Sequence, residues 1–136
     1  MCLILFAYKA HPKYKFILAA NRDEFYKRPT ASAHFWKEAP NILAGRDLVL
    51  GGTWLGVTKT GRFAAVTNFR NPSQLKGKLS RGLLVSDFLR DDDSVFDYMQ
   101  RLKNDAENYA GFNLLVGNFI NDELAYFSNQ DRKSVV

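Results

Sequence analysis

The single cysteine of this 136-residue chain is Cys2, directly after Met1. Methionine aminopeptidase accepts small second side chains, so Met1 is expected to be excised. Cys2 would then carry both a thiol and a free α-amino group. Such an amine has a pKa of about 7.7–8, so part of it is uncharged at neutral pH. It can take the thiol proton directly or through a water, which activates the nucleophile without a histidine. A lone cysteine in an apolar strand is more often a small buried hydrophobe. On Cys2 alone, both readings stay open.

The second group is Asn21-Arg22-Asp23-Glu24, which directly follows an apolar run. An aspartate near an α-amino group can orient it by a charge-assisted hydrogen bond. An arginine nearby favours thiolate over thiol. The bland alternative is a solvated turn with a surface ion pair, worth little. The third candidate is Asn68, at the end of the run Phe63 to Thr67. A side-chain amide there can donate to the oxyanion of a tetrahedral intermediate; an ordinary turn asparagine is the alternative. Asn113 and Asn129 are weaker candidates of the same kind. His11 and His34 have no partner at ligand or triad spacing. Gly51-Gly52 is not followed by Gly-Lys-Ser/Thr and is no phosphate loop.

These residues need elements to position them. Residues 2–8 and 14–20 are apolar runs broken at His11-Pro12. They read as an antiparallel hairpin whose open ends bring Cys2 and Asn21–Glu24 together. Both faces of the first run are apolar, so it is expected to be buried on both sides. Residues 25–41, with Pro29 and Pro40, read as an excursion over the surface. Short strands are expected at 48–50, 53–58 and 62–67, punctuated by glycines that supply turns. A polar loop follows from Asn71 to Lys78. Leu79 to Leu89 and Val95 to Tyr109 keep helical spacing, with Asp93 or Ser94 as N-cap of the second helix. Residues 112–119 and 123–128 read as a hairpin around Asn121-Asp122. Asn129 to Val136 suggests no element. This order indicates an α+β layered domain with largely antiparallel sheets.

Composition narrows the classes. Hydrophobic residues make up 46% and aromatics 14%, which argues against disorder. The net charge of +5 is scattered among acidic residues, with no nucleic-acid motif. One cysteine permits no internal disulfide, and with two distant histidines a structural zinc site is not expected. The apolar run after Met1 is too short to span a bilayer, and it lacks signal-peptide features. The expected compartment is the cytoplasm, without stable membrane insertion.

Four stretches resemble the NRDE family, also called the transport-and-Golgi-organisation family. They are Met1-Cys2 with Ala20-Asn21-Arg22-Asp23-Glu24-Phe25-Tyr26 and Arg28-Pro29; Gly51-Gly52-Thr53-Trp54-Leu55-Gly56; Gly61 to Arg70; and Gly111-Phe112-Asn113-Leu114. They occur in order across nearly the whole chain. The resemblance implies an N-terminal-nucleophile hydrolase-like αββα sandwich, with two antiparallel sheets between helical layers. Its wider relatives include bile-salt hydrolases, penicillin V acylase and acid-ceramidase-like amidases. In those, the N-terminal Cys is the nucleophile, an Asp after the second strand holds its amine, and an Asn helps form the oxyanion hole. Cys2, Asp23 and Asn68 fall on these positions.

Two departures accompany the match. The amidases place Arg three residues before the Asp; here that position is Ala20, and Arg22 adjoins Asp23. Strand alternation would turn Arg22 away from the thiol. Family members are also usually longer, with a Gly-Leu-Ser-Asn segment after the fourth signature. Residues 1–136 are therefore expected to be one domain, C-terminally truncated, holding the N-terminal part of the full fold and leaving an apolar face uncovered.

Two function classes follow. One is a Cys-dependent amidase acting on non-peptide C–N bonds, with Cys2, Asp23 and Asn68 catalytic and Asn21, Arg22 and Glu24 in support. It needs no metal or cofactor. The other is a non-catalytic trafficking protein that binds haem or a lipid-like ligand, with Cys2 or a histidine as axial ligand. There is no CxxCH attachment motif.

Overall fold

The computed structural model describes residues 2–69 and 77–130, and the backbone of 134–135. Elements follow the chain as β1 (Leu3–Tyr8), β2 (Phe16–Asn21), β3 (Thr30–Trp36), β4 (Ala39–Asp47), β5 (Leu55–Thr58) and β6 (Arg62–Asn68). After them come α1 (Arg81–Arg90), α2 (Val95–Asp105), a 3-10 turn (Ala106–Asn108), β7 (Phe112–Asn118), β8 (Glu123–Ser128) and β9 (Ser134–Val135). Strands β3 to β9 form one seven-stranded sheet in sequence order; β1 and β2 form a separate two-stranded sheet. Every strand pairing is antiparallel. The α+β class with antiparallel sheets is as expected from the sequence.

Both helices cover one face of the large sheet. From α1, Leu84, Val85, Phe88 and Leu89 pack with Ala64, Val66, Leu114 and Val116 of the sheet, and α2 adds Val95, Met99 and Leu102. These sheet residues alternate along β6 and β7, so their neighbours face the other way. Those neighbours, Phe63, Ala65 and Leu115, meet Ile4, Phe16 and Leu18 of the β1–β2 hairpin. Phe16 is the centre of that contact, with ring centroids 4.9 Å from Phe63 and 4.6 Å from Phe119. The layers are therefore helices, seven-stranded sheet and two-stranded sheet. A second helical layer is not present among the described residues.

Helix α2 begins as its sequence indicates. Ser94 is the N-cap, and its Oγ accepts from the Asp97 backbone N–H at 3.0 Å. In the β7–β8 turn Asp122 adopts a φ of 56°, a left-handed conformation that aspartate tolerates.

Several expectations are corrected. Residues 25–41 are not a surface excursion: they contain β3 and the start of β4, and Trp36 is buried with its Nε1 donating to Ala44 O at 3.2 Å. Residues 48–50 are a turn rather than a strand, closed by Gly51 N–H to Asp47 O at 2.8 Å. The end of the chain contributes β9, paired with β8. The first strand is covered on one side only. Leu3 and Leu5 are 51% and 61% exposed, and Ile17 of its partner strand is 43% exposed. The expected burial of this strand on both sides is therefore not met. The polar loop expected at Asn71–Lys78 lies almost wholly outside the described residues.

Candidate active site

The register of the β1–β2 ladder fixes where Cys2 stands. Leu3 is opposite Asn21, so one step further out sets Cys2 beside Arg22 and Asp23. The Asp23 backbone N–H donates to Cys2 Sγ at 3.3 Å. Cys2 is partly buried and lines a cavity of about 310 Å³ together with Arg22, Asp23, Glu24 and Asn68. Asn68 reaches the wall because β6 ends there, opposite Phe112. The sequence-predicted residues thus converge, except that Asn21 closes the β2 ladder and is not on the cavity wall.

Arg22 is not turned away from the thiol's cavity. Strand β2 ends at Asn21, so strand alternation no longer governs Arg22 and Asp23, and both line the same space. Arg22 Nη2 lies 3.5 Å from Glu24 Oε2. Glu24 Oε1 also accepts from the Phe25 N–H at 2.9 Å.

Three charged wall residues had no role in the sequence reading: Arg28, Asp47 and Arg81. Arg28 grips Asp47 in a fork, with Nε at 3.2 Å from Oδ1 and Nη2 at 2.6 Å from Oδ2. Burial alone would raise the Asp47 carboxyl. The Arg28 hydrogen bond, the Val49 N–H and the positive charges of Arg28 and Arg22 outweigh it and hold Asp47 below the usual carboxylate range. Arg28-Pro29 stands in the first signature, so its presence there was the available signal. Arg81 had none, because its place depends on a tertiary contact.

That contact is made by the second signature. A Cβ on Gly52 would stand 2.6 Å from the Gly82 carbonyl carbon. Only glycine admits this approach of the β4–β5 connection to the first turn of α1. The Thr53 N–H donates to Gly82 O at 3.3 Å across the same joint. Arg81, one residue earlier, is thereby set on the cavity wall. Its Nη1 donates to Gly111 O at 2.9 Å, which ties in the fourth signature as well.

A second cleft of about 260 Å³ opens on the other side of Cys2, between Ile4 of the hairpin and Ala65 and Leu115 of the large sheet. One polar chain crosses its wall. Tyr126 Oη donates to Asn113 Oδ1 at 2.9 Å, and Asn113 Nδ2 donates to Thr67 Oγ1 at 3.3 Å. Asn113 therefore belongs to this cleft rather than to the first cavity. Asn129 is a structural clasp: its Oδ1 accepts from the Phe112 N–H at 2.9 Å, and its Nδ2 donates to Ala106 O and Tyr109 O, each at 3.2 Å. His11 Nδ1 accepts from the Lys13 N–H at 3.1 Å, and His34 Nδ1 bonds its own strand at Ser32 O at 2.7 Å. Neither histidine lines the cavity or the cleft. Among the described residues, no group of three His, Cys, Asp or Glu is placed to hold a metal ion, and no helix is long and apolar enough to cross a membrane.

Comparison with known proteins gives a consistent result. The family model for Transport and Golgi organisation 2 matches residues 1–136. A Transport and Golgi organization 2 homolog of Mus musculus is 38% identical over 140 residues, covering 96% of this chain and 51% of that protein. Its counterpart in Bos taurus is 36% identical, covering 100% of this chain and 53% of its own. The Drosophila melanogaster protein is 35% identical, with 85% and 45% covered. The chain thus spans about half the length of the curated relatives it matches. With a whole-chain match and ordered signatures that meet around one thiol, the chain belongs to the Transport and Golgi organisation 2 family.

Proposed function

We propose that this chain carries the nucleophile half of an N-terminal-nucleophile hydrolase-like site that cleaves non-peptide amide C–N bonds. The observation that supports it is the placement of Cys2 Sγ against the Asp23 N–H, in one cavity with Arg22 and Asn68. After Met1 removal, the Cys2 α-amine takes the thiol proton and the sulfur attacks the amide carbonyl carbon. Asn68 donates to the oxygen that becomes negative. Asp23 orients the α-ammonium, which returns its proton to the leaving amine as the C–N bond breaks. Water, deprotonated by the same amine, then opens the thioester and frees the thiol and a carboxylate. The cytoplasm is the proposed compartment, where a free thiol stays reduced.

Intact-mass spectrometry tests the first requirement. The expected species lacks Met1 and, with an amide substrate, shows an acyl adduct that Cys2→Ala cannot form. Retained Met1 blocks the amine and ends this mechanism.

A specific observation favours a second reading, a haem- or lipid-binding trafficking protein. The apolar cleft beside Cys2 suits a ligand with an apolar body. Cys2 is the side chain there able to ligate haem iron through sulfur, and no histidine joins it. If haem binds, its Soret shift should be lost in Cys2→Ala; an unchanged shift removes Cys2 from that role.

A further inference from the structure

We propose that Arg81 is the anion-recognising residue of the Cys2 cavity, receiving a carboxylate or phosphate group of the ligand whose reacting carbon lies at Cys2 Sγ. This deepens the amide reading by naming a substrate class, amides that carry an anionic group, and rests on that reading only for the reaction itself.

The argument starts from the three guanidinium groups on the cavity wall, Arg22, Arg28 and Arg81. Two are committed to carboxylates: Arg28 is held in a fork by Asp47, and Arg22 lies at ion-pair distance from Glu24. Among the described residues no carboxylate stands within ion-pair distance of Arg81. Among the described residues its hydrogen-bond partner is neutral, the Gly111 carbonyl, reached through Nη1 alone. A guanidinium carries five N–H donors in a rigid fork, so most of this one is left for another acceptor. It is also partly withdrawn from water, and burial pulls its pKa down against the opposing influence of Glu24 and Cys2. A positive charge that is part-buried, fixed by one arm and, among the described residues, without a carboxylate at ion-pair distance has the character of a receptor for an anion.

The fold also makes Arg81 hard to move. The close approach of Gly52 to Gly82 clamps the residue next to it, and the Gly111 carbonyl clamps its head. A receptor held this way loses little conformational freedom on binding. Cys2 shares its cavity, so an anion seated on Arg81 brings the attached carbons toward the sulfur.

Cys2 is the chain's one cysteine, so alkylation followed by intact mass reports on this sulfur. Iodoacetate and iodoacetamide offer the same carbon to the thiolate and expel the same iodide; only iodoacetate is an anion. The ratio of their rates therefore measures anion recognition and cancels changes in the sulfur itself. We expect the ratio to exceed that of a peptide spanning residues 2–7. Arg81→Gln should lower it by about fivefold, the scale of a part-exposed charge pair, and Arg81→Lys should keep part of it. Increasing salt should lower the wild-type ratio toward the peptide value, which tests the idea even if Arg81→Gln does not fold.

Inorganic phosphate and acetate, added as competitors, separate the two sources: the one that slows iodoacetate names the group received. The proposal is overturned if the wild-type ratio equals the peptide's, if Arg81→Gln leaves it unchanged, or if neither competitor acts. It is equally overturned if both reagents slow together in Arg81→Gln, which would assign Arg81 to the sulfur instead. Absence of any amide turnover with the ratio intact would remove the hydrolase reading and leave the anion site standing.

Discussion

The two faces of the seven-stranded sheet are built differently. The helix-covered face is closed: Ala64, Leu114, Val116, Val85 and Phe88 are all inaccessible to solvent. The other face is covered by two strands. Phe63, Ala65 and Leu115 are buried beneath them, yet the outer side of those strands leaves Leu3 and Leu5 half exposed. Near the β1–β2 turn, the tie to the large sheet is partly ionic, with Lys9 and Lys15 reaching Asp122 at 3.4 and 2.8 Å. Those pairs are exposed and hold little. The larger buried cluster therefore lies on the helix side, while Cys2 comes from the thinner layer, at the end of the sheet where α1 also begins. A segment with few buried apolar contacts opens locally more easily than the core.

Three substitutions sharpen this contrast, from the largest expected effect to the smallest. Leu114→Ala empties a fully buried position on the closed face and should cost about 3 kcal/mol in denaturant unfolding. A loss below about 1 kcal/mol would show that the helix side is not the principal core.

Asp47→Asn breaks the fork with Arg28 on the site side, and should cost about 1 kcal/mol at neutral pH. The folded-state Asp47 carboxyl is held below its ordinary value despite burial, chiefly by the Arg28 hydrogen bond. Its contribution is therefore complete above the ordinary carboxylate range and lost as pH falls through the folded-state value. Acid titration of the wild type should show this loss, and Asp47→Asn should flatten it. Parallel acid limbs in the two proteins would deny the ion pair a role in stability.

Leu5→Thr on the outer side of the hairpin should change stability by less than about 0.5 kcal/mol. It should visibly reduce binding of a hydrophobic dye, because Leu5 is exposed apolar surface. A large destabilisation would mean that this face is covered in solution.

How far the sequence discloses this arrangement depends on which forces place each part. The β1–β2 hairpin was readable because two apolar runs flank a His11-Pro12 break, and pairing them brings Cys2 to Asp23. That one face stays open was not readable from the runs themselves, because both faces have apolar side chains. Strands β3 and β4 were hidden by their prolines. Pro29 immediately precedes β3, and Pro40 sits where the β3–β4 ladder shifts register between Phe35 and Trp36. A proline can be carried there without breaking a ladder bond. Leu48-Val49-Leu50 misled in the opposite sense, being apolar yet exposed in a turn held by Asp47. In the site, Asn68 was visible as the end of a strongly patterned strand. Arg81 was not, because residues far apart in sequence, Gly52 and Gly111, decide where its head lies.

The joint between Gly52 and Gly82 has a bearing on how this protein could vary. Backbone against backbone leaves no side chain to trim or swap at Gly52, which cannot gain a Cβ without shifting the start of α1, whereas Gly82 would meet Thr53 N only at 3.2 Å. Drift at that point would have to be paid in the architecture, while the rim beside it, where Leu50 and Leu79 contribute, is free to diverge. Homologues should then differ in what they admit to the cavity well before they differ in how its wall is hung.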